Sequence, residues 1–519
     1  SRVLVRSYYQ WLIKHFTEKE AVLIYGAGGA GTQLASALMP GNEFYTVAFI
    51  DDDKVLWKHT VHGIRVHPPK DIQKLINEHG IKKVLLALPN ASKQQRKAVL
   101  DRLTPYPVHV QTIPSMTEIL SGNATVDQLQ EVELEDLLGR DPVPPKEELF
   151  TACIQGKTVL VTGAGGSIGS ELCRQILKAK PDQLILYEVS EFALYAIEQE
   201  LSKAILTSGN SISLIPILGS VCNRRRMQEV FQRYAVHTVY HAAAYKHVPI
   251  VEQNIFEGIR NNVVGTQTVA ELAKQFSVER FVLISTDKAV RPTNVMGATK
   301  RLAELVVQDL AVECASTVFS MVRFGNVLGS SGSVVPLFRK QIQAGGPLTV
   351  THPEITRFFM TIPEASQLVI QAGAMALGGD VFVLDMGQPV KIVDLANRMI
   401  HLSGFEVKDE QHPDGDIEVV FSGLRPGEKL YEELLIGDNV TGTDHEKIMR
   451  ANEELLDSRM LYECLQRLSE YESLNNCMAA RKVLQDAVSG FKPSADLVDL
   501  LLDPDNSVQI SPKPHGPLH

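Results

Sequence analysis

The 519-residue sequence has no run of 18 or more apolar residues, which is what a membrane-spanning helix would need. It shows no signal-peptide pattern either. Cysteine is scarce: six residues (Cys153, Cys173, Cys222, Cys314, Cys464 and Cys477) lie far apart, and no two form a Cys-x-x-Cys. That excludes a disulfide framework and a structural zinc site, so no metal is expected, and it suits a reducing, cytoplasmic compartment. Positive charge is in deficit, with 51 Lys+Arg against 61 Asp+Glu and a net charge of −10. This balance argues against a general nucleic-acid binder, yet it permits a local basic pocket for a phosphorylated ligand. What remains is ordinary globular composition, 44% hydrophobic and 22% charged, over a length that implies two or three domains.

Strand-like and helix-like stretches alternate along most of the chain, as βαβ units of a parallel sheet require. Residues 1–17 are basic and aromatic, which suits a juxtamembrane flank or an amphipathic helix. A first α/β domain is expected over 18–138, with apolar strands such as Lys83-Val-Leu-Leu-Ala-Leu88. Nothing near residues 80–120 looks catalytic. A linker over 139–150 contains the stiff Asp141-Pro-Val-Pro-Pro145. A second domain is expected over 151–493, with its nucleotide-binding part over about 151–330 and a mixed, substrate-binding lobe mostly after 330. The polar, Pro-rich tail 494–519 is expected to be partly disordered.

Two glycine loops have the strand before and the helix after that a functional reading needs. In the second domain, strand Lys157-Thr-Val-Leu-Val-Thr162 runs into Gly163, Gly166 and Gly169, and Glu188 follows 19 residues beyond Gly169. Such glycines permit a tight turn and let a pyrophosphate approach the backbone at a helix N-terminus. A carboxylate at position 188 would bind the ribose hydroxyls and repel a 2′-phosphate, which favours NAD over NADP. The spacing is that of the short-chain dehydrogenases. In the first domain, Gly26, Gly28 and Gly31 with Asp51 or Asp52 form a candidate second nucleotide site; the alternative is a Rossmann-like domain with a regulatory or structural duty. The expected class is therefore α/β, two doubly wound parallel-sheet domains in series.

The chemistry is expected around Ser285-Thr-Asp-Lys288 and Met296-x-x-x-Lys300. In short-chain dehydrogenases this helix carries Tyr-x-x-x-Lys, a one-turn spacing that puts phenol and ammonium on the same face. Here Met296 stands in place of the Tyr. The series His241-Ala-Ala-Ala-Tyr-Lys-His-Val-Pro-Ile-Val-Glu252, Asn261-Asn-Val-Val-Gly-Thr266, Ser285-Thr-Asp-Lys-Ala289, Arg323-Phe-Gly-Asn-Val-Leu-Gly329, Thr356-Arg-Phe-Phe-Met360 and Gly423-Leu-Arg-Pro-Gly-Glu-Lys429 closely resembles the CapD-like polysaccharide-biosynthesis UDP-N-acetylglucosamine 4,6-dehydratases of the extended short-chain dehydrogenase family. The resemblance is dense over about 155–450. The long members with two Rossmann-like domains keep this Met, so Met296 supports the assignment. They also carry transmembrane helices before the first domain. A truncated soluble form, from a full-length protein on the cytoplasmic face of the bacterial inner membrane, is thus expected.

The resemblance implies NAD-dependent, C5-retaining 4,6-dehydration of a UDP-sugar. C4 is oxidised, water is eliminated across C5–C6, and the hydride returns to C6. It implies a cofactor site of Gly163, Gly166, Ser167, Ile168, Gly169, Glu188, Ala242, Ala243 and Lys300. Thr286 is expected to bond the 4-hydroxyl, Asp287 to act as acid and Lys288 as base; Met296 fills the space of the lost Tyr. The acid role demands a raised pKa at Asp287 and the base role a depressed one at Lys288, and a tight ion pair would push both the wrong way. Substrate contacts are expected from Lys246, Asn326, Arg357, Arg425 and Glu428, with the two arginines suited to a diphosphate. The family often has Asp where Ser220 stands, a contact to the adenine, so one hydrogen bond is lost. Alternatives are a nucleotide-sugar 4-epimerase, a C5-inverting dehydratase, which would retain the Tyr, and a nucleotide-sensing scaffold. A homo-oligomer, dimer or higher, is expected because helix-mediated dimers are common in the fold.

Overall fold

A computed structural model describes residues 19–114, 129–139 and 143–501, apart from 42, 210, 313, 331, 434–439, 495 and 500. The opening segment 1–17, linker residues 140–142 and most of the 494–519 tail lie outside the described residues. The chain forms two compact units. One comprises the chain up to Val143 with Ser331–Ile355 and Val390–Gly423; the other comprises Pro144–Ser330, Thr356–Pro389 and the chain from Leu424 onward.

The first unit is built on a seven-stranded sheet. Its strands are β1 (Glu20–Tyr25), β2 (Phe44–Ile50), β3 (Thr60–Val61), β4 (Ile64–His67), β5 (Lys83–Leu86), β6 (His109–Thr112) and β7 (Gln130–Glu131), in the order β3-β4-β2-β1-β5-β6-β7. The five inner strands are parallel, and β3 and β7 close the edges antiparallel. Val22, Leu23 and Ile24 are fully buried, as a strand covered on both faces should be. Helix α1 (Gly29–Leu38) follows the first glycine loop. The segments 331–355 and 390–423, read from sequence as part of the substrate lobe, tie themselves to this sheet domain. Arg398 pairs with Asp101 at 2.7 Å and donates to the Leu137 carbonyl at 3.0 Å. His401 Nδ1 lies 2.7 Å from the Thr104 carbonyl, and the Arg339 guanidinium donates to the Val132 carbonyl at 3.1 Å.

The second unit is built on nine strands: β8 (Thr158–Thr162), β9 (Gln183–Glu188), β10 (Ser213–Leu218), β11 (Thr238–His241), β12 (Arg280–Ile284), β13 (Val318–Arg323), β14 (Asp380–Leu384), β15 (Val440–Gly442) and β16 (Ile448–Ala451). The order is β10-β9-β8-β11-β12-β13-β14-β16-β15, parallel from β10 to β14 and antiparallel beyond. The two parallel sheets agree with the expected fold class. The order reverses direction between β8 and β11, and the carboxyl ends beside that crevice are where such sheets bind ligands.

Two helices position the site. Helix α2 (Ser167–Lys178) follows the second glycine loop. Helix α3 (Val295–Val312) is buried over most of its length, packed beneath the helices Ser458–Ser473 and Cys477–Ala487. Its start is held by Glu252, whose carboxylate accepts the Val295 N–H at 2.5 Å, and by Asn294 Oδ1, which accepts the Gly297 N–H at 2.7 Å. Among the described residues, no helix is long and apolar enough to cross a membrane.

Candidate active site

The second glycine loop is shaped by backbone crowding. Gly163 has a φ of +65°, and a Cβ there would lie 2.7 Å from the Ala243 nitrogen and 2.9 Å from the Ala242 carbonyl carbon. A Cβ on Gly169 would sit 1.9 Å from the Gly163 oxygen. Only glycine permits this close turn of strand into helix. Gly166 precedes α2 and, having no side chain, offers it no side-chain cap, and Ser167 and Ile168 open the helix. Glu188 ends β9 and is buried. One carboxylate oxygen accepts the Gly165 N–H at 2.9 Å, and the other accepts the Val189 and Ser190 N–H groups at 2.9 Å. Loop and carboxylate meet as the sequence spacing requires for a dinucleotide. Tyr187, one residue earlier, donates its hydroxyl to the Ser220 carbonyl at 3.0 Å, so position 220 is engaged through its backbone.

The first glycine loop repeats this geometry. Gly26 has a φ of +108°, and a Cβ on Gly31 would lie 1.9 Å from the Gly26 oxygen, while Gly28 faces open space. Asp51 accepts the Ala27 N–H at 2.7 Å, the counterpart of Glu188 and Gly165. Asp52 is held differently: it pairs with Arg102 and accepts the Tyr25 hydroxyl at 2.9 Å.

At the end of β12 the chain turns sharply. Thr286 donates to Asp287 Oδ1 at 2.8 Å and accepts the Lys288 N–H at 3.3 Å. Asp287, almost fully buried, shares Oδ1 with the Lys288 ammonium at 3.0 Å; its Oδ2 has no partner among the described residues. Burial and the nearby Glu432 push the Asp287 carboxyl up to about 6, against the lowering effect of Lys288 and Thr286. That is the direction an acid role asks for. Lys288 goes the other way. Burial alone would lower it, but Asp287 and Glu432 outweigh burial and hold the ammonium above the usual lysine range. The depressed value that a resting base would need is not there.

Lys288 also touches Asn326 Oδ1 at 3.3 Å and Glu432 Oε1 at 3.0 Å. Glu432 accepts from Asn326 Nδ2 at 2.9 Å and lies 3.3 Å from Arg357 Nε. Arg357 is committed further, to Glu428 at 3.0 Å and to the carbonyls of Thr356 and Leu430 at 2.8 and 3.3 Å. It is thus a charge-paired, half-buried cation, whereas Arg425 is exposed and its backbone N–H donates to Glu428 at 3.2 Å. Of the two arginines, Arg425 is the more exposed. Lys246 sits on the exposed loop after β11; desolvation and the Lys288 charge lower its pKa.

Lys300 donates to the Ile284 carbonyl at 2.7 Å, and burial lowers its pKa to about 8 against the opposing charge of Glu304. Met296, one turn earlier, is buried in an apolar cluster with Val251, Ile255, Ile259 and Leu302, consistent with space filling. His241 is buried at the end of β11 between Thr162 and Thr266, at 2.8 and 3.1 Å, and is pushed down to about 3 by burial and Lys300.

Three features were not read from the sequence. Glu432 lies four residues after Glu428 in a run of two glutamates, and only its burial distinguishes it. Glu304, fully buried, accepts Ser285 Oγ at 2.6 Å and pairs with Arg323 at 2.6 Å and Arg301 at 3.0 Å, so it anchors the strand end that carries Thr286. A Cβ on Gly297 would lie 2.2 Å from the Lys288 carbonyl oxygen, so α3 approaches the Thr286–Lys288 turn only because position 297 is glycine.

Comparison with known proteins shows the family. Residues 159–453 match the family model described as "Polysaccharide biosynthesis protein". The capsular polysaccharide biosynthesis protein CapD of Staphylococcus aureus is 50% identical over 87% of this chain and 74% of its own length. The probable polysaccharide biosynthesis protein EpsC of Bacillus subtilis is 46% identical over 84% of this chain and 71% of its own. The crystal structure of Pen from Bacillus thuringiensis is 32% identical with a TM-score of 0.51, over 59% of this chain and 92% of that one. The chain belongs to the polysaccharide biosynthesis protein family, as a CapD-like member of the extended short-chain dehydrogenase group.

Proposed function

We propose that the protein is an NAD-dependent 4,6-dehydratase of UDP-N-acetylglucosamine that retains configuration at C5. One observation carries the reading: Asp287 and Lys288 stand together at the carboxyl end of β12, with the Asp287 carboxyl buried, raised to about 6 and one oxygen without a partner among the described residues. A 4-epimerase needs no such acid, because nothing departs from C6. An inverting dehydratase would keep the Tyr that Met296 replaces.

The loop Gly163–Gly169 and Glu188 fit a dinucleotide, since neighbouring backbone crowds out any side chain at Gly163 and Gly169 and so leaves bare main chain leading into α2. When bound there, NAD supplies a hydride acceptor for C4 and the same hydride for C6. Thr286 orients the 4-hydroxyl, and Lys300 binds the nicotinamide ribose and polarises that hydroxyl. Asp287 protonates the departing C6 hydroxyl, and Lys288 takes the C5 proton. Asn326, Arg425, Glu428 and Lys246 face the nucleotide half. Met296 holds volume and moves no proton.

The test is incubation of the purified chain and NAD with UDP-N-acetylglucosamine, with the product identified by NMR. A UDP-linked 4-keto-6-deoxy sugar with C5 retained supports the reading. The C4 epimer alone, or the C5-inverted ketone, would refute it.

A further inference from the structure

Lys288 is the expected base, yet two carboxylates hold it as an ammonium. One of them, Asp287, must keep a proton to act as acid. The other is Glu432, with its side chain 3% exposed and Oε1 3.0 Å from Lys288 Nζ. No other carboxylate among the described residues is recorded against that ammonium. Asn326 bonds Lys288 through Oδ1 and Glu432 through Nδ2, fixing the two groups against each other. Arg357 lies 3.3 Å from Glu432 and is shared with Glu428. The remaining charges nearby are Lys246, which feels the Lys288 charge, and Lys429, whose ammonium donates to the Val290 carbonyl at 2.9 Å.

We propose that Glu432 is the proton-exchange partner of Lys288, accepting one Nζ proton so that a neutral amine can take the proton from C5. This inference rests on the dehydratase reading above. The Nζ–H bond breaks as Oε1–H forms, which turns an ion pair into a neutral amine and carboxylic acid. Burial alone would raise the Glu432 carboxyl, but Lys288 and Arg357 hold it below its ordinary value, so the resting pair is ionic and the exchange is an uphill step that precedes elimination. The amine then takes the C5 proton, the C5–H electron pair becomes the C5–C6 double bond, and the C6 oxygen leaves as water with the Asp287 proton. After hydride returns to C6, Lys288 delivers its proton to C5 and Glu432 returns the borrowed one. The proton lost by the 4-hydroxyl balances the one Asp287 gave to water. Glu432 acts through Lys288 and is a positioning residue; a carboxamide at 432 could preserve the hydrogen bond but not the exchange.

The experiment compares the full chain with its Glu432→Gln and Glu432→Asp variants, all with bound NAD and UDP-N-acetylglucosamine. Two steps are read separately in single turnover. Reduced nicotinamide absorbance reports C4 oxidation, and NMR in deuterated water reports elimination and label at C5. The expected result is that Glu432→Gln oxidises C4 and accumulates reduced nicotinamide while elimination slows by about 100-fold. Glu432→Asp, with the acceptor drawn back by one methylene, loses elimination partly and selectively. Elimination at the wild-type rate in Glu432→Gln overturns the proposal. So does an equal fall of oxidation and elimination in both variants, which would mark Glu432 as a structural prop only. A wild-type chain that forms no 4-keto-6-deoxy product overturns the dehydratase reading itself, and this inference with it.

Discussion

Gly297→Ala adds one methyl group on the helix that backs the catalytic turn. The new Cβ would lie 2.2 Å from the Lys288 carbonyl oxygen, 3.1 Å from its carbonyl carbon and 3.2 Å from Asn294 Oδ1. Normal contact begins near 3.4 Å, so the Lys288 backbone must retreat by about 1.2 Å. The obstacle is main chain, with no flexible side chain to swing away. A displacement near 1 Å at a reacting group costs roughly 100-fold in rate, so kcat should fall by about that factor. Overpacking should cost about 1–3 kcal/mol, partly offset by up to about 1 kcal/mol of helix propensity gained by Ala over Gly. The variant should therefore remain folded. Steady-state kinetics with NMR detection of product, beside urea unfolding, separates the two effects. Gly442→Ala, where an added Cβ meets nothing within 4 Å, is the control. A Gly297→Ala enzyme with wild-type kcat would refute the claim that this close approach places Lys288.

Asp287→Asn keeps the shape of the turn but supplies no ionisable acid; dehydration should fall by about 100- to 10,000-fold, and full activity would remove Asp287 from the mechanism. In the wild type, kcat/KM should decline as pH rises through about 6, where the Asp287 carboxyl loses its proton, and a profile without that limb would contradict the acid role. Because this pKa is raised above its ordinary 3.8, the contribution of Asp287 to stability is full below that value and is lost as pH rises through about 6. Glu304 has the opposite sign. Burial would raise it, but Arg323 and Arg301 hold it down to about 2, so its contribution is full above 4.5 and is lost as pH falls toward 2. Glu304→Gln leaves buried arginines without that charge and should destabilise the chain by about 3–5 kcal/mol in chemical denaturation; an unchanged midpoint would show the network to be dispensable. Gly169→Ala would drive a Cβ to 1.9 Å from the Gly163 oxygen. Calorimetry should find NAD binding lost or weakened at least 10-fold, and unchanged affinity would move the cofactor elsewhere.

Much was legible along the chain because it rests on local rules. Buried parallel strands appear as apolar runs such as Thr158–Thr162, and a glycine is demanded wherever backbone meets backbone, as at Gly163 and Gly169. The one-turn spacing of Met296 and Lys300 likewise fixes which face of α3 they share, and the carboxylate after β9 follows from strand length. These features depend on periods of two and 3.6 residues and need no knowledge of distant partners. Ordered motifs on that frame are enough to point to the family.

Charge balance was not legible, because it depends on which side chains converge from distant parts of the chain. Arg357 reads as a diphosphate clamp by its forked geometry, yet Glu428 and Glu432 occupy its guanidinium, while Arg425 is exposed. Asp287 and Lys288 look like a self-cancelling pair, and adjacency alone predicts that each shifts the other the wrong way. Burial of the carboxyl and the approach of Glu432, 144 residues away from Lys288, split them, raising the acid to about 6 and keeping the lysine charged. The sequence by itself determined the sheets, the glycine loops and the positions of Thr286, Asp287, Lys288 and Lys300, since short-range geometry dictates them. Only the tertiary structure decided in which direction the pKa values there shift, because desolvation and the company of distant charges exist only once the chain has folded.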